Sequence, residues 1–272
     1  MNYTHGEEFR ATSDQTEAIC HDPAPLMILA GAGTGKTTTL LYRYIYLIEN
    51  LGIKPGHILA ITYTERAARE LTDRLVEKIG EQVRDSTIST FHSFCYSLIQ
   101  DYVSSENKLQ LIEESESIYL ILSNFDSLRP YHSEEFPLNP HKAVGEAIPF
   151  INRCRDEMLA PEDLNVNLIA DSLTSSEQKN QLKDIRNIYE FYQDIKKSQG
   201  LVDYGDMIVQ AWSLLKNDPS ILAQIQKKIK HIIIDEFQDN NYALNQVIGL
   251  IGDKNKSITV VGDDDQTIYS FR

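Results

Sequence analysis

The feature that most constrains this chain is the octapeptide Ala30-Gly31-Ala32-Gly33-Thr34-Gly35-Lys36-Thr37, set between an apolar run and an amphipathic stretch. Leu26-Met27-Ile28-Leu29-Ala30, introduced by Pro25, reads as a buried strand of a parallel sheet. Thr37 to Glu49 reads as a helix, with Leu40, Leu41, Tyr44, Ile45 and Ile48 spaced to form one apolar stripe. Strand, glycine-rich turn and helix in that order make a phosphate-binding loop. Its glycines let successive backbone N–H groups curl around phosphate oxygens, the helix N-terminus adds positive potential, and Lys36 reaches the β- and γ-phosphates. The predicted nucleotide cradle is Gly31, Ala32, Gly33, Thr34, Gly35, Lys36, Thr37 and Thr38, with the Thr37 hydroxyl a ligand for Mg²⁺. Ala30 stands where the general pattern has glycine.

A second strand–helix unit follows, Ile58 to Ile61 and then Glu65 to Ile79, and Ser86 to Thr90 reads as a third strand. Such alternation predicts crossovers and a parallel, doubly wound α/β sheet. From about residue 93 to 225 the pattern becomes helical, as in Ser115 to Asn124 and Glu177 to Gln199, separated by a proline-containing segment over 129–149. Strand signals return with Ile232 to Ile234 and Ser257 to Val261. The expectation is one α/β domain interrupted by a helical insertion: residues 1–95, an insertion over 96–224, and 225–272.

Both returning strands run into acidic residues. Asp235 can hold Mg²⁺ from a rigid strand tip while Glu236 polarises the attacking water. After the last strand comes Gly262-Asp263-Asp264-Asp265-Gln266, where Gln266 can reach a γ-phosphate; three consecutive carboxylates are usually a solvated turn or a weak cation site.

The charge balance, 26 basic against 40 acidic residues for a net −14, excludes a protein that grips nucleic acid with its whole surface. Residues 101–200 carry 10 basic and 18 acidic groups, so the excess acid lies in the middle of the chain. Any polyanion must be held in a local groove. No run approaches the ~20 apolar residues of a membrane span, and the polar start lacks a signal sequence, so no membrane association and a cytoplasmic location are expected. Cys20, Cys95 and Cys154 are too few and too scattered for a disulfide framework or a zinc site.

Taken in order, AGAGTGKT, ILAITYTERAARELTDRL (58–75), STFHSF (89–94), IIIDEFQDNN (232–241) and VVGDDDQTIYSFR (260–272) resemble motifs I, Ia, Ib, II and III of superfamily 1 helicases of the UvrD/Rep/PcrA type. ATSDQTEAI resembles that family's Q motif, with Gln15 in the adenine-recognising place. The resemblance implies a RecA-like P-loop NTPase using ATP and Mg²⁺, with Lys36, Glu236 and Gln266 catalytic, Thr37 and Asp235 on the metal, and Gln238 coupling Glu236 to Gln266. It also implies single-stranded DNA across the sheet tips, beside Thr62, Tyr63 and Thr64, Phe91 and His92, and Tyr269 and Phe271. Aromatic faces suit a motor that ignores sequence, although aromatics at strand ends are more often core than platform.

Four positions depart from the family's pattern: Thr38 for Arg, Glu65 for Asn, Ser270 for Gly and Phe271 for Trp. Asp203, in LVDYGDM, is similar to a segment before motif II and reads equally as a helix N-cap. Because the chain stops inside motif III, the resemblance implies a second RecA-like domain of the same protein as partner. The expected function is the ATP-binding part of a 3′-to-5′ single-stranded DNA translocase or helicase. The motor of a RecB/AddA-type helicase–nuclease or defence helicase is an alternative within the class. A protein-interaction module with a vestigial ATP site is the alternative outside it.

Overall fold

The computed structural model describes residues 3–5, 9–31, 33–102, 109–164, 175–252 and 257–263. The described strands, in chain order, are β1 Thr4–His5, β2 Phe9–Arg10, β3 Leu26–Leu29, β4 Ile58–Thr62, β5 Thr87–Thr90, β6 Gln110–Leu111, β7 Leu201–Val202, β8 His231–Ile234 and β9 Ser257–Gly262. Five of them form one parallel sheet in the order β3-β9-β8-β4-β5. This is the α/β architecture expected from the alternating pattern. β4 and β8 lie inside the sheet and are buried along their whole length, which is why ILAIT and HIII read as continuous apolar runs.

The chain divides into two compact compartments. One comprises Met1–Cys95, Trp212–Asn240 and Leu244–Arg272, the other Tyr96–Ala211 and Asn241–Ala243. The first holds the five-stranded sheet. The helix Pro219–Lys228, which crosses the boundary expected at residue 224, groups with the sheet.

In the sheet compartment, α1 Ser13–Cys20, α2 Lys36–Glu49 and α3 Glu65–Ile79 supply the apolar faces. Leu40, Leu41, Tyr44, Ile45 and Leu47 of α2 join Leu71 and Leu75 of α3 over Ile58, Ala60, Ile233 and Val261 of the sheet. Arg43 of α2 is buried among them. Its guanidinium donates to the carbonyls of Ile19 (2.9 Å), Asp22 (3.3 Å) and His21, closing the C-terminal end of α1, where the helix's last carbonyls lack intrahelical donors. That contact fixes α1 against α2, and with it Gln15 near the phosphate loop.

In the second compartment, α5 Glu114–Leu122, α7 Pro140–Asp156 and the helix Ser176–Gln199 pack through Ile121, Val144, Ile148, Ile151, Ile188 and Tyr192. The segment 129–149, predicted to separate helices, is itself partly helical: α6 covers Glu135–Leu138 and α7 begins at Pro140. Proline is well placed there, because the first helical residue needs no N–H donor. β6 and β7, two residues each, pair in parallel in a stretch that shows no strand signal.

Four charged side chains are buried together in this compartment. Arg155 donates to both Asp203 oxygens at 3.0 and 2.9 Å, Lys196 donates to Asp203 at 2.7 Å, and Lys196 also pairs with Asp206. Asp203 and Asp206 accept from one another's backbone N–H at 2.9 and 3.1 Å, opening the helix Tyr204–Asn217, so the N-cap reading of Asp203 is met along with the ion pairs. Burial works to raise the Asp203 carboxyl, but Arg155 and Lys196 hold it well below the ordinary carboxylate range.

Among the described residues no helix is long and apolar enough to cross a membrane.

Candidate active site

The phosphate loop leaves β3 at the point where β3 meets β9. Ala30 N–H donates to the Gly262 carbonyl at 3.1 Å, carrying the β3–β9 ladder one step into the loop. Thr34 Oγ1 then donates to the Gly31 carbonyl at 2.7 Å and closes the turn. Gly33 and Gly35 have φ of 75° and 90°, the left-handed region that side chains disfavour. Gly35 caps α2 without a side chain, so the first-turn N–H groups of the helix point outward, as anion binding requires. A Cβ on Gly35 would lie 3.0 Å from Gln15 Nε2.

Gln15 lies in the first turn of α1, where its Oε1 accepts from Thr12 N at 3.1 Å and its Nε2 donates to the Thr34 carbonyl at 3.2 Å. It is thus tied to the loop that would hold phosphate. Thr37 and Thr38 sit in the first turn of α2, Thr37 exposed and Thr38 half-buried. Ala32 lies outside the described residues.

Asp235 follows β8 directly. Burial, with the neighbouring Glu236 charge, pushes its carboxyl up to about 6. A carboxyl so placed gains most from a cation, which would restore the charge that burial penalises. Glu236 adopts φ 51°, ψ 48°, unusual for a residue with a side chain and a conformation held only where the surroundings require it. The turn aims its carboxylate back at the phosphate loop, where Lys36 Nζ lies 3.5 Å from Glu236 Oε2.

Lys36 is equally close, 3.5 Å, to Asp263 Oδ2. Gln238 closes the arrangement: its Nε2 donates to Glu236 Oε2 at 2.7 Å, and its Oε1 accepts from Asp263 N–H at 3.1 Å. Lys36, Glu236, Gln238 and Asp263 therefore form a ring. The approach depends on Gly262, whose Cβ would lie 2.9 Å from Gln238 Oε1.

Beside the ring lies a cavity of about 440 Å³, whose lining includes Thr37, Asp235, Glu236 and Gln238 together with Thr62, Tyr63 and Thr64. The two residues assigned to Mg²⁺ from sequence thus face one space. Among the described residues no three His, Cys, Asp or Glu side chains converge as a metal site. A hydroxyl and one carboxylate still suit Mg²⁺, which keeps waters and takes substrate phosphate oxygens.

The residues assigned to DNA are less alike than their motif suggests. Tyr63 is 37% exposed. Thr62 is buried and donates to the Thr64 carbonyl at 3.1 Å, while Thr64 Oγ1 caps α3 by accepting from Ala67 N at 3.1 Å. Phe91 is buried edge-on to Phe94, 6.4 Å between ring centres, a core placement, and His92 is half-buried beside it in α4, Phe91–Tyr102. Gln266, Tyr269 and Phe271 lie outside the described residues.

Two features escaped the sequence reading. Asp263, read there as part of an acidic turn, is 2% exposed and paired with Lys36. The available signal was its position one residue past a buried parallel strand, the same position as Asp235. Glu65 accepts from the hydroxyls of Thr90 (3.0 Å) and Ser93, joining the starts of α3 and α4, and these hydrogen bonds, that of Ser93 foremost, lower its pKa.

The family model of the UvrD/REP helicase N-terminal domain matches residues 11–272. The ATP-dependent DNA helicase PcrA of Staphylococcus aureus (strain Mu50 / ATCC 700699) is 30% identical over 263 residues, covering 96% of this chain and 34% of the relative. The ATP-dependent DNA helicase PcrA of Staphylococcus epidermidis (strain ATCC 12228 / FDA PCI 1200) is 31% identical over 263 residues, covering 96% of this chain and 34% of the relative. The chain thus spans about a third of the length of these relatives.

Proposed function

Because the chain belongs to the UvrD/REP helicase N-terminal domain family, we propose that it is the nucleotide-binding lobe of an ATP-driven, 3′-to-5′ single-stranded DNA translocase or helicase acting in the cytoplasm. The observation that carries this reading is the convergence of Lys36 and Glu236, 3.5 Å apart, at a loop whose helix N-terminus is left open for an anion.

In this reading Lys36 and the first-turn N–H groups of α2 hold the β- and γ-phosphates, and Thr37 and Asp235 hold Mg²⁺, which would neutralise developing charge on the phosphates. Glu236 accepts the proton of the attacking water. Gln238 keeps the Glu236 carboxylate oriented, and Gln266 senses the γ-phosphate. Tyr63, exposed at the cavity rim, is the described residue best placed to stack on a base. A second RecA-like lobe supplying an arginine to the γ-phosphate belongs to the same proposal; such an arginine is worth ~10³–10⁵ in rate.

The reading of a vestigial ATP site is disfavoured by the complete set of Lys36, Thr37, Asp235 and Glu236, all on structured elements or their ends.

Isothermal titration tests the proposal. Mg-ATP is expected to bind with heat, and Lys36→Ala is expected to weaken that binding. Absence of any Mg²⁺-dependent heat in the wild type would refute it. For DNA, fluorescence anisotropy is expected to show weak binding without sequence preference, each phosphate contact adding about −0.7 to the log–log salt slope. Tyr63→Ala should weaken that binding, and an unchanged isotherm would remove Tyr63 from the interface.

A further inference from the structure

Asp263 has no role in the function proposed above, yet it is among the most thoroughly buried carboxylates of the sheet compartment, at 2% exposure. A buried carboxylate is costly unless a cation or donors compensate it. Its Oδ2 lies 3.5 Å from Lys36 Nζ, and the Lys36 side chain is itself only 11% exposed, so the pair is largely shielded from water. Lys36 carries the charge assigned above to triphosphate. The same ammonium group therefore has an anionic partner supplied by the protein.

We infer that Asp263 is a positioning residue that acts as an internal stand-in for phosphate: it holds Lys36 over the loop until a nucleotide takes the lysine from it. This rests on the assignment of the phosphate loop made above. Two further details support it. Glu236 shares Lys36 at the same 3.5 Å distance, so the lysine is balanced between two carboxylates rather than committed to one. The backbone N–H of Asp263 is also held by Gln238, whose other end holds Glu236, so Asp263 and Glu236 are linked both through Lys36 and around it. When phosphate oxygens take the ammonium, both carboxylates lose a cation together, while Gln238 still joins them. Arrival of the triphosphate is thereby registered at the end of β9 and at the proposed general base in one event.

A competitor built into the site makes an unusual demand on the mutant: removing it should tighten binding. Asp263→Asn keeps the size and the backbone hydrogen bond but loses the charge. Titrated with ATP in EDTA, so that metal ligation does not contribute, Asp263→Asn is expected to bind about three- to tenfold more tightly than the wild type, the range for losing one partly shielded ion pair. AMP, which has no β- or γ-phosphate for Lys36 to reach, should show no gain. A merely structural role would move both nucleotides alike, and downward. Asp263→Ser is measured alongside, as a smaller neutral replacement should the asparagine prove unstable, and the same gain is expected. Unchanged or weaker ATP binding in a folded neutral variant would overturn the inference while leaving the phosphate loop assignment intact. Wild type that failed to bind ATP at all would overturn both.

Discussion

The backbone N–H of Asp235 donates to the carbonyl of Ile61 at 2.9 Å, one step beyond the last paired residues of β8 and β4. The proposed metal ligand, one residue past β8, consequently lies level with Thr62, the last residue of β4. A rigid two-strand scaffold, rather than loop packing, sets the distance between the phosphate chemistry and the exposed Tyr63.

Gly35 is expected to be intolerant of any side chain. At φ 90° an alanine is strained, and its Cβ would press on Gln15 Nε2. Gly35→Ala should lower stability by about 1–2 kcal/mol and weaken ATP binding at least tenfold, read by thermal denaturation and titration on the same sample. Gly52, also left-handed but with open space around it, serves as the comparison: Gly52→Ala should carry the strain without the loss of binding.

Lys36→Ala and Asp235→Ala should separate when metal is removed. Lys36 contacts phosphate directly, whereas Asp235 acts through the cation. In EDTA the lysine variant should still bind ATP less tightly than the wild type and the Asp235 variant should match it. Equal losses in EDTA would contradict the division of roles.

The raised pKa of Asp235 gives a stability prediction with a definite sign. Its folded value of about 6 lies above the ordinary 3.8, so the fold favours the protonated form. Its contribution to stability is full below pH ~4 and is lost as pH rises through 6. In EDTA, Asp235→Asn should therefore be more stable than the wild type at pH 7.5, by on the order of 1–3 kcal/mol, with little difference at pH 4.5. Denaturant midpoints at the two pH values check this, and a difference that does not change with pH would argue against it.

Arg155→Ala should be the most damaging single change in the helical compartment. Arg155 is 2% exposed, and its loss leaves Asp203 and Asp206 sharing Lys196 alone among the cations of that cluster. Removing one partner of a buried ion pair costs about 3–5 kcal/mol. The chain's melting temperature should fall steeply, and Asp203→Asn should produce a smaller loss because Tyr192 and Lys196 can still donate to the amide oxygen.

Much of the sheet was legible because its signals are local. Apolar runs of four or five residues, a glycine turn and a helical stripe are each complete within about fifteen positions, and α3 begins and ends where the pattern places it. The helix over 140–156 was obscured by Pro140 and Pro149, whose effect depends on their position in the helix. β6 and β7 are two residues long, too short to carry alternation. The phosphate-handling residues could be read from their types and order, but the Lys36–Asp263 pair joins positions 227 apart, and only the register of β3 on β9 brings them together. Burial of Phe91 likewise depends on packing that the sequence STFHSF does not display.

The long interruption within the sheet has a consequence for how the chain is made. β4 pairs with β8, and at the foot of that ladder His57 Nδ1 meets the Lys228 carbonyl, 171 positions away. Parallel pairing across such a separation carries a large loop-closure cost and slows folding. On the ribosome, β3, β4 and β5 emerge well before either strand that must lie between β3 and β4. The early strands, with their apolar faces, must wait for synthesis of the entire helical segment before the central ladder can close, which makes that interval the period in which the nascent chain most needs protection from aggregation.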